Sequence, residues 1–129
     1  MDRIKSEIIS DFIKLTNECI QRYELAEKCV GEQDKLTTDL LHSLELEDTN
    51  YGERAKIATR LKTNRLDRRY YKDIKEEYAP LYEFLQDPVN KKAINKLVRV
   101  LGETRKAEKY HEQRTYKPRI NMMEKEKND

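Results

Sequence analysis

The first 44 residues constrain the fold of this 129-residue chain more than any other stretch. Apolar or amphipathic side chains recur at Ile4, Ile8, Phe12, Leu15, Cys19, Tyr23, Ala26, Val30, Leu40 and Leu44, and Gln33 and Thr37 occupy two further places in the same series. Its eleven steps cover 40 residues, or 3.64 residues per step, which is the period of an α-helix. Charged residues such as Lys5, Glu7, Asp11, Lys14, Glu18, Glu24 and Glu27 fill the intervals. The pattern predicts one amphipathic helix over residues 2–46, about 60 Å long. Gly31 is its weak point, since Gly costs up to about 1 kcal/mol relative to Ala inside a helix. A bend is expected there, where Gln33 and Thr37 also loosen the stripe.

Asp48-Thr49-Asn50-Tyr51-Gly52 is a turn signal, because Asn, Asp and Gly dominate turns. A second helix is expected over 53–86. Its apolar face reads Ile57, Leu61, Tyr71, Ile74, Tyr78, Leu81 and Leu85, and between Leu61 and Tyr71 that face falls on Asn64 and Arg68. Pro80 lacks the helical N–H and disfavours helix at Ala79, so a kink near 80 is expected, or a stop with Pro80 opening a short new helix. Asp87-Pro88 is a helix start, an N-cap acceptor followed by proline at the first helical position. The third helix, 88–113, carries Val89, Ala93, Ile94, Leu97 and Leu101.

These elements predict an all-α fold: a long antiparallel helical hairpin, coiled-coil-like, with a third helix and an extended C-terminal tail. Residues 1–114 form a single helical domain and 115–129 the tail. Three glycines and three prolines, against about 12% Gly plus Pro in ordinary chains, argue against all-β and doubly wound α/β folds. A stripe so narrow on a helix so long buries little within one monomer. A homodimer, or another helical partner, is expected to cover it.

The near-neutral net charge of +2 conceals a strong asymmetry. Residues 1–53 carry a net −7, residues 54–75 a net +7, and the remainder +2. Two readings follow. Acidic and basic helices can pack as neighbours whose opposite charges set register. Alternatively the basic helix faces outward, toward an acidic protein surface or toward phosphates, with Tyr70 and Tyr71 beside Arg68 and Arg69.

Catalytic chemistry finds little support. His42 and His111 each follow a carboxylate by three residues, Asp39 and Glu108, a spacing that puts both on one helical face as di-iron bundles require. Glu108 and His111, however, sit among Lys106, Lys109, Glu112 and Arg114, so the surroundings are solvent rather than apolar core. Cys19 and Cys29 lie ten residues apart in one helix, about 15 Å, too far for a disulfide. Their acidic surroundings raise rather than lower a thiol pKa. No phosphate loop or Ser elbow is present. No catalytic residue, metal or cofactor is therefore expected. Tyr71, Tyr78 and Tyr82 are expected in the core with hydroxyls at the rim, while Tyr70, Tyr110 or Tyr116, where exposed, would anchor a partner. The N-terminal residues lack a secretory pattern and no apolar run could span a membrane, so a cytoplasmic chain with no membrane contact is expected.

The run Leu40-Leu41-His42-Ser43-Leu44-Glu45-Leu46 precedes a short acidic turn and an Arg/Lys-rich helix, Arg60-Leu61-Lys62 through Arg65, Arg68, Arg69 and Lys72-Asp73. Pro80-Leu81, Phe84-Leu85, Leu97 to Leu101, Gly102, Thr104-Arg105-Lys106 and Tyr116-Lys117-Pro118-Arg119 follow. Over residues 36–120 this resembles small helical proteins encoded in phages and prophages of Gram-positive bacteria. The resemblance implies a viral accessory protein in the bacterial host cytoplasm, of a kind that binds and inhibits or redirects a host machine of replication, transcription or defence. It transfers no site residues. The residues themselves nominate Arg65, Arg68, Arg69, Tyr70 and Lys72 as the patch that contacts a host protein. DNA or RNA bound by the basic helix 54–75 is the alternative.

Overall fold

The computed structural model describes residues 4–115, and the expected tail from Tyr116 onward lies outside them. Three helices account for nearly all of the described chain: α1 (Lys5–Leu46), α2 (Tyr51–Gln86) and α3 (Pro88–Gln113). α1 and α2 form the expected hairpin. α2 begins two residues before the expected boundary, because the side chain of Asn50 caps it by accepting from the Glu53 amide at 2.8 Å. Gly31 and Pro80 both lie within continuous helices, so neither ends its helix. Pro80 removes one backbone donor but sits on an exposed position, away from the α1 contact.

The joint between α2 and α3 is one residue. Asp87 closes α2 through its amide, which donates to the Glu83 carbonyl at 3.1 Å. Its side chain opens α3 by accepting from the Val89 amide at 3.0 Å. The Asn90 side chain then donates to the Phe84 carbonyl at 3.0 Å, satisfying one of the carbonyls that a helix end leaves bare. With so many bonds across so short a joint, the direction of α3 is set locally.

α3 continues in the direction of α2 along the N-terminal part of α1. Lys91 and Ile94 meet Thr16, Asn17 and Ile20 around one cavity. At the other end, the Glu108 carboxylate accepts from the Ser6 amide at 2.9 Å and from the Ser6 hydroxyl at 2.8 Å. Ile4, the N-cap of α1, offers no side-chain acceptor. Glu108 thus caps α1 from another helix, where the exposed N–H groups favour negative charge.

α2 and α3 do not share one face of α1. From Cys19 onward the inward series is Cys19, Tyr23, Ala26, Val30, Gln33, Thr37, Leu40 and Leu44, which α2 covers. Toward the N-terminus the inward series becomes Ser6, Ile9, Ile13, Thr16 and Ile20, which α3 covers. Cys19 and Ile20 are adjacent, so the two faces lie roughly 100° apart around α1. The first four members of the sequence stripe are therefore not inward as expected. Ile4, Ile8, Phe12 and Leu15 are 52%, 50%, 50% and 64% exposed. The physical reason is the Asp87 joint, which delivers α3 to a different side of α1.

The core is correspondingly thin. Among the described residues the buried hydrophobic side chains are Cys19, Ala26, Leu40 and Leu85. No helix among the described residues is long and apolar enough to cross a membrane.

Candidate interaction surface on α2

The two polar interruptions noted in the helical stripes meet each other. Asn64, only 2% exposed, donates through Nδ2 to the Gln33 carbonyl and to Gln33 Oε1, both at 2.8 Å. Its Oδ1 accepts from the Thr37 hydroxyl at 2.6 Å. Every polar atom of the Asn64 side chain is thus used against α1. Sliding α2 by a turn would bring Asn64 against apolar residues and leave buried polar groups unpaired, at about 1–3 kcal/mol each. The network fixes register.

Charge pairs along one edge of the hairpin do the same more weakly. Arg68 Nε donates to Asp34 Oδ1 at 2.5 Å, and Lys75 Nζ lies 3.8 Å from Glu27. Each partner is seven residues from the next on its own helix, so both pairs fall on the same edge. Nearby, Tyr82 stacks on Tyr23 at 3.9 Å between ring centroids, and Lys75 Nζ lies 5.9 Å from the Tyr23 ring. Burial, followed by Glu24, pushes the Tyr82 phenol upward. Tyr78 accepts from Arg22 at 3.4 Å.

Against this frame the five nominated patch residues separate. Arg65, Arg69 and Lys72 are exposed; Arg69 lies on the side of α2 away from α1, while Lys72 stands at its flank and borders a cavity with Val30 of α1. Lys62, in the same basic segment but outside the nominated patch, precedes them, so the row Lys62, Arg65, Arg69 and Lys72 runs at spacings of three, four and three residues. Such spacing keeps all four on one helical face. Lys62, Arg65 and Arg69 make no ion pair among the described residues, and Lys72 makes a solvent-exposed one with Glu76 at 3.8 Å. A shallow groove of about 720 Å³ runs between these side chains, lined also by Leu66 and Arg68, with Asp73 and Glu76 at one end.

Arg68 does not belong to that row. It turns toward α1 and spends its charge on Asp34, and its side chain is only 27% exposed. Tyr70 leaves the row in the opposite sense. It is 62% exposed, meets Tyr71 edge-on at 5.3 Å, and lines a separate groove of about 500 Å³ with Leu25, Tyr71 and Ile74. Tyr71 is half-buried beside Cys29, whose proximity, followed by burial and Asp67, raises the phenol above its ordinary value.

The residues considered for chemistry are dispersed. Asp39 and His42 are both exposed, and Glu108 is engaged with Ser6. His111 is exposed, with its ring 5.8 Å from Tyr110. Both cysteines are free, and burial pushes the Cys19 thiol upward. Among the described residues no group of three or more His, Cys, Asp or Glu side chains could hold a metal ion. No family model, curated protein or solved structure matches the chain.

Proposed function

We propose that the protein is a non-enzymatic interaction protein whose α2 ridge, Lys62, Arg65, Arg69 and Lys72, binds an acidic surface on a partner protein. The observation that carries this reading is the separation within the basic segment. Arg68 and Lys75 pair with Asp34 and Glu27 of α1, while the outer row stays exposed, and three of its four cations are unpaired. Arginines at the centre of such a row suit bidentate pairing with carboxylates. A nucleic acid is the less favoured partner, because Tyr70 sits on another flank and the ridge lacks the interleaved aromatic that stacks on bases.

The resemblance of residues 36–120 to phage and prophage proteins supports a host protein in the bacterial cytoplasm as that partner, inhibited or redirected by binding. Self-association as a homodimer belongs to the same proposal.

The test is affinity capture from a Gram-positive lysate with wild type and with the Arg65→Glu/Arg69→Glu double variant, each with and without nuclease. Expected is a protein retained after nuclease treatment and reduced at least tenfold by the double variant, with helicity unchanged by circular dichroism. Capture that vanishes with nuclease, or that survives the double charge reversal, contradicts the proposal.

A further inference from the structure

We infer that the uncovered N-terminal third of α1 is the contact surface for a second copy of this chain, with the two α1 helices crossing antiparallel about a two-fold axis near residue 10. The inference rests on the self-association already proposed; the surface lies away from the α2 ridge, and its test does not depend on the ridge binding anything.

The face is continuous with an interface the molecule already has. Ile4, Ile8, Phe12 and Leu15 are in phase with Cys19, Tyr23 and Ala26, the residues that α2 covers. α2 leaves α1 near Leu85, and α3 then docks roughly 100° around the helix on Ile9, Ile13 and Ile20. Among the described residues the place in line with α2 is left open, floored by four half-exposed apolar side chains. A helix running antiparallel to α1 with an apolar stripe of the same period fits that place, as α2 does higher up.

α1 of a second copy meets those requirements. An antiparallel crossing near residue 10 brings Ile8 of each copy to the level of Phe12 of the other, and Ile4 to the level of Leu15. The contact is isologous, so it closes at two copies and leaves no open end. Charge separates this face from the rest of the surface. Its rim carries Lys5 and Lys14 together with Glu7, Asp11 and Glu18, so two identical faces meet with mixed signs. The α2 ridge, all cationic along its row, would repel its own copy.

Three measurements on the full chain test the proposal. Light scattering is expected to give twice 15.5 kDa at micromolar concentration. Ile8→Glu/Phe12→Glu is expected to weaken dimerisation at least a hundredfold while leaving helicity and the melting transition of the dilute protein unchanged, because both side chains are already half-exposed. Small-angle scattering of the dimer is expected to give a maximum dimension of about 110 Å, since 36 residues of α1 extend to either side of the crossing at 1.5 Å each. A monomer at all concentrations overturns the proposal, as does a dimer that ignores the double substitution. A dimer near 70 Å, with the copies side by side over their full length, overturns the antiparallel crossing. A monomer in which a label at Phe12→Cys becomes accessible only after removal of 116–129 assigns the face to the chain's own terminus and overturns the inference as well.

Discussion

α1 carries one apolar stripe but lives in two environments. From Cys19 to Leu44 the stripe is covered by α2, and it tolerates Gln33 and Thr37 because Asn64 arrives to satisfy them. From Ile4 to Leu15 the stripe is purely apolar and faces solvent in the isolated chain. The difference teaches that hydrophobicity alone does not decide which part of a helix is buried. Chain connectivity decides, through the one-residue joint at Asp87, and the polar positions mark the part that has a committed partner.

The largest contrast is expected from core truncation. Leu40→Ala or Leu85→Ala, each removing a side chain only 4% exposed, should cost about 2–3 kcal/mol in urea unfolding. Phe12→Ala in dilute protein should cost under about 1 kcal/mol, although Phe is the larger residue. Comparable losses at Phe12 and Leu40 would erase the distinction between the two regions. Next is Asn64→Ala, expected to cost about 2 kcal/mol because Gln33 and Thr37 lose a buried partner. A double-mutant cycle with Thr37→Val should show non-additivity, measuring the network rather than either residue.

Gly31→Ala should act in the opposite direction. A Cβ at Gly31 meets nothing within 4 Å, so the substitution should stabilise the seam by about 0.5–1 kcal/mol in thermal melts. Arg68→Ala should cost only about 0.2–1 kcal/mol, less in high salt, because its pair with Asp34 is partly exposed.

The smallest effect is an alkaline one confined to the covered region. The Cys19 thiol and the Tyr71 and Tyr82 phenols are all raised above their ordinary values of 9.0 and 10.0. Below those values the folded and unfolded chains hold the same protons. As pH rises through them the unfolded chain releases protons first, so stability should decline above about pH 9. Tyr82→Phe should flatten that decline in a series of melts.

Features set by neighbouring residues were legible in the sequence. Asp87-Pro88 starts α3 because its cap and its proline act within two residues. The long period of α1 survives because a helix repeats locally. What escaped was whatever depends on a distant partner. Gln33, Thr37 and Asn64 each look like a flaw in their own helix, since the residue that completes each lies 27 or 31 positions away. The α3-facing series of Ser6, Ile9, Ile13, Thr16 and Ile20 was present but masked, because Ser6 and Thr16 break its apolar character and a stronger stripe overlaps it. In the candidate site, composition found the basic segment but not its facing. Arg68 and Arg69 are adjacent, and only the position of α1 shows that one is bound to Asp34 while the other looks outward. Lys62, counted in the basic segment, was left out of the nominated patch because it stands apart from the dense cluster, though its spacing of three from Arg65 was readable.

Amide hydrogen exchange along α1, recorded at several protein concentrations, tests the two-environment description most directly. Expected is strong, concentration-independent protection from Cys19 to Leu44, and protection from Ile4 to Leu15 that is weak in dilute protein and rises with concentration. Uniform protection along the helix that ignores concentration would contradict it.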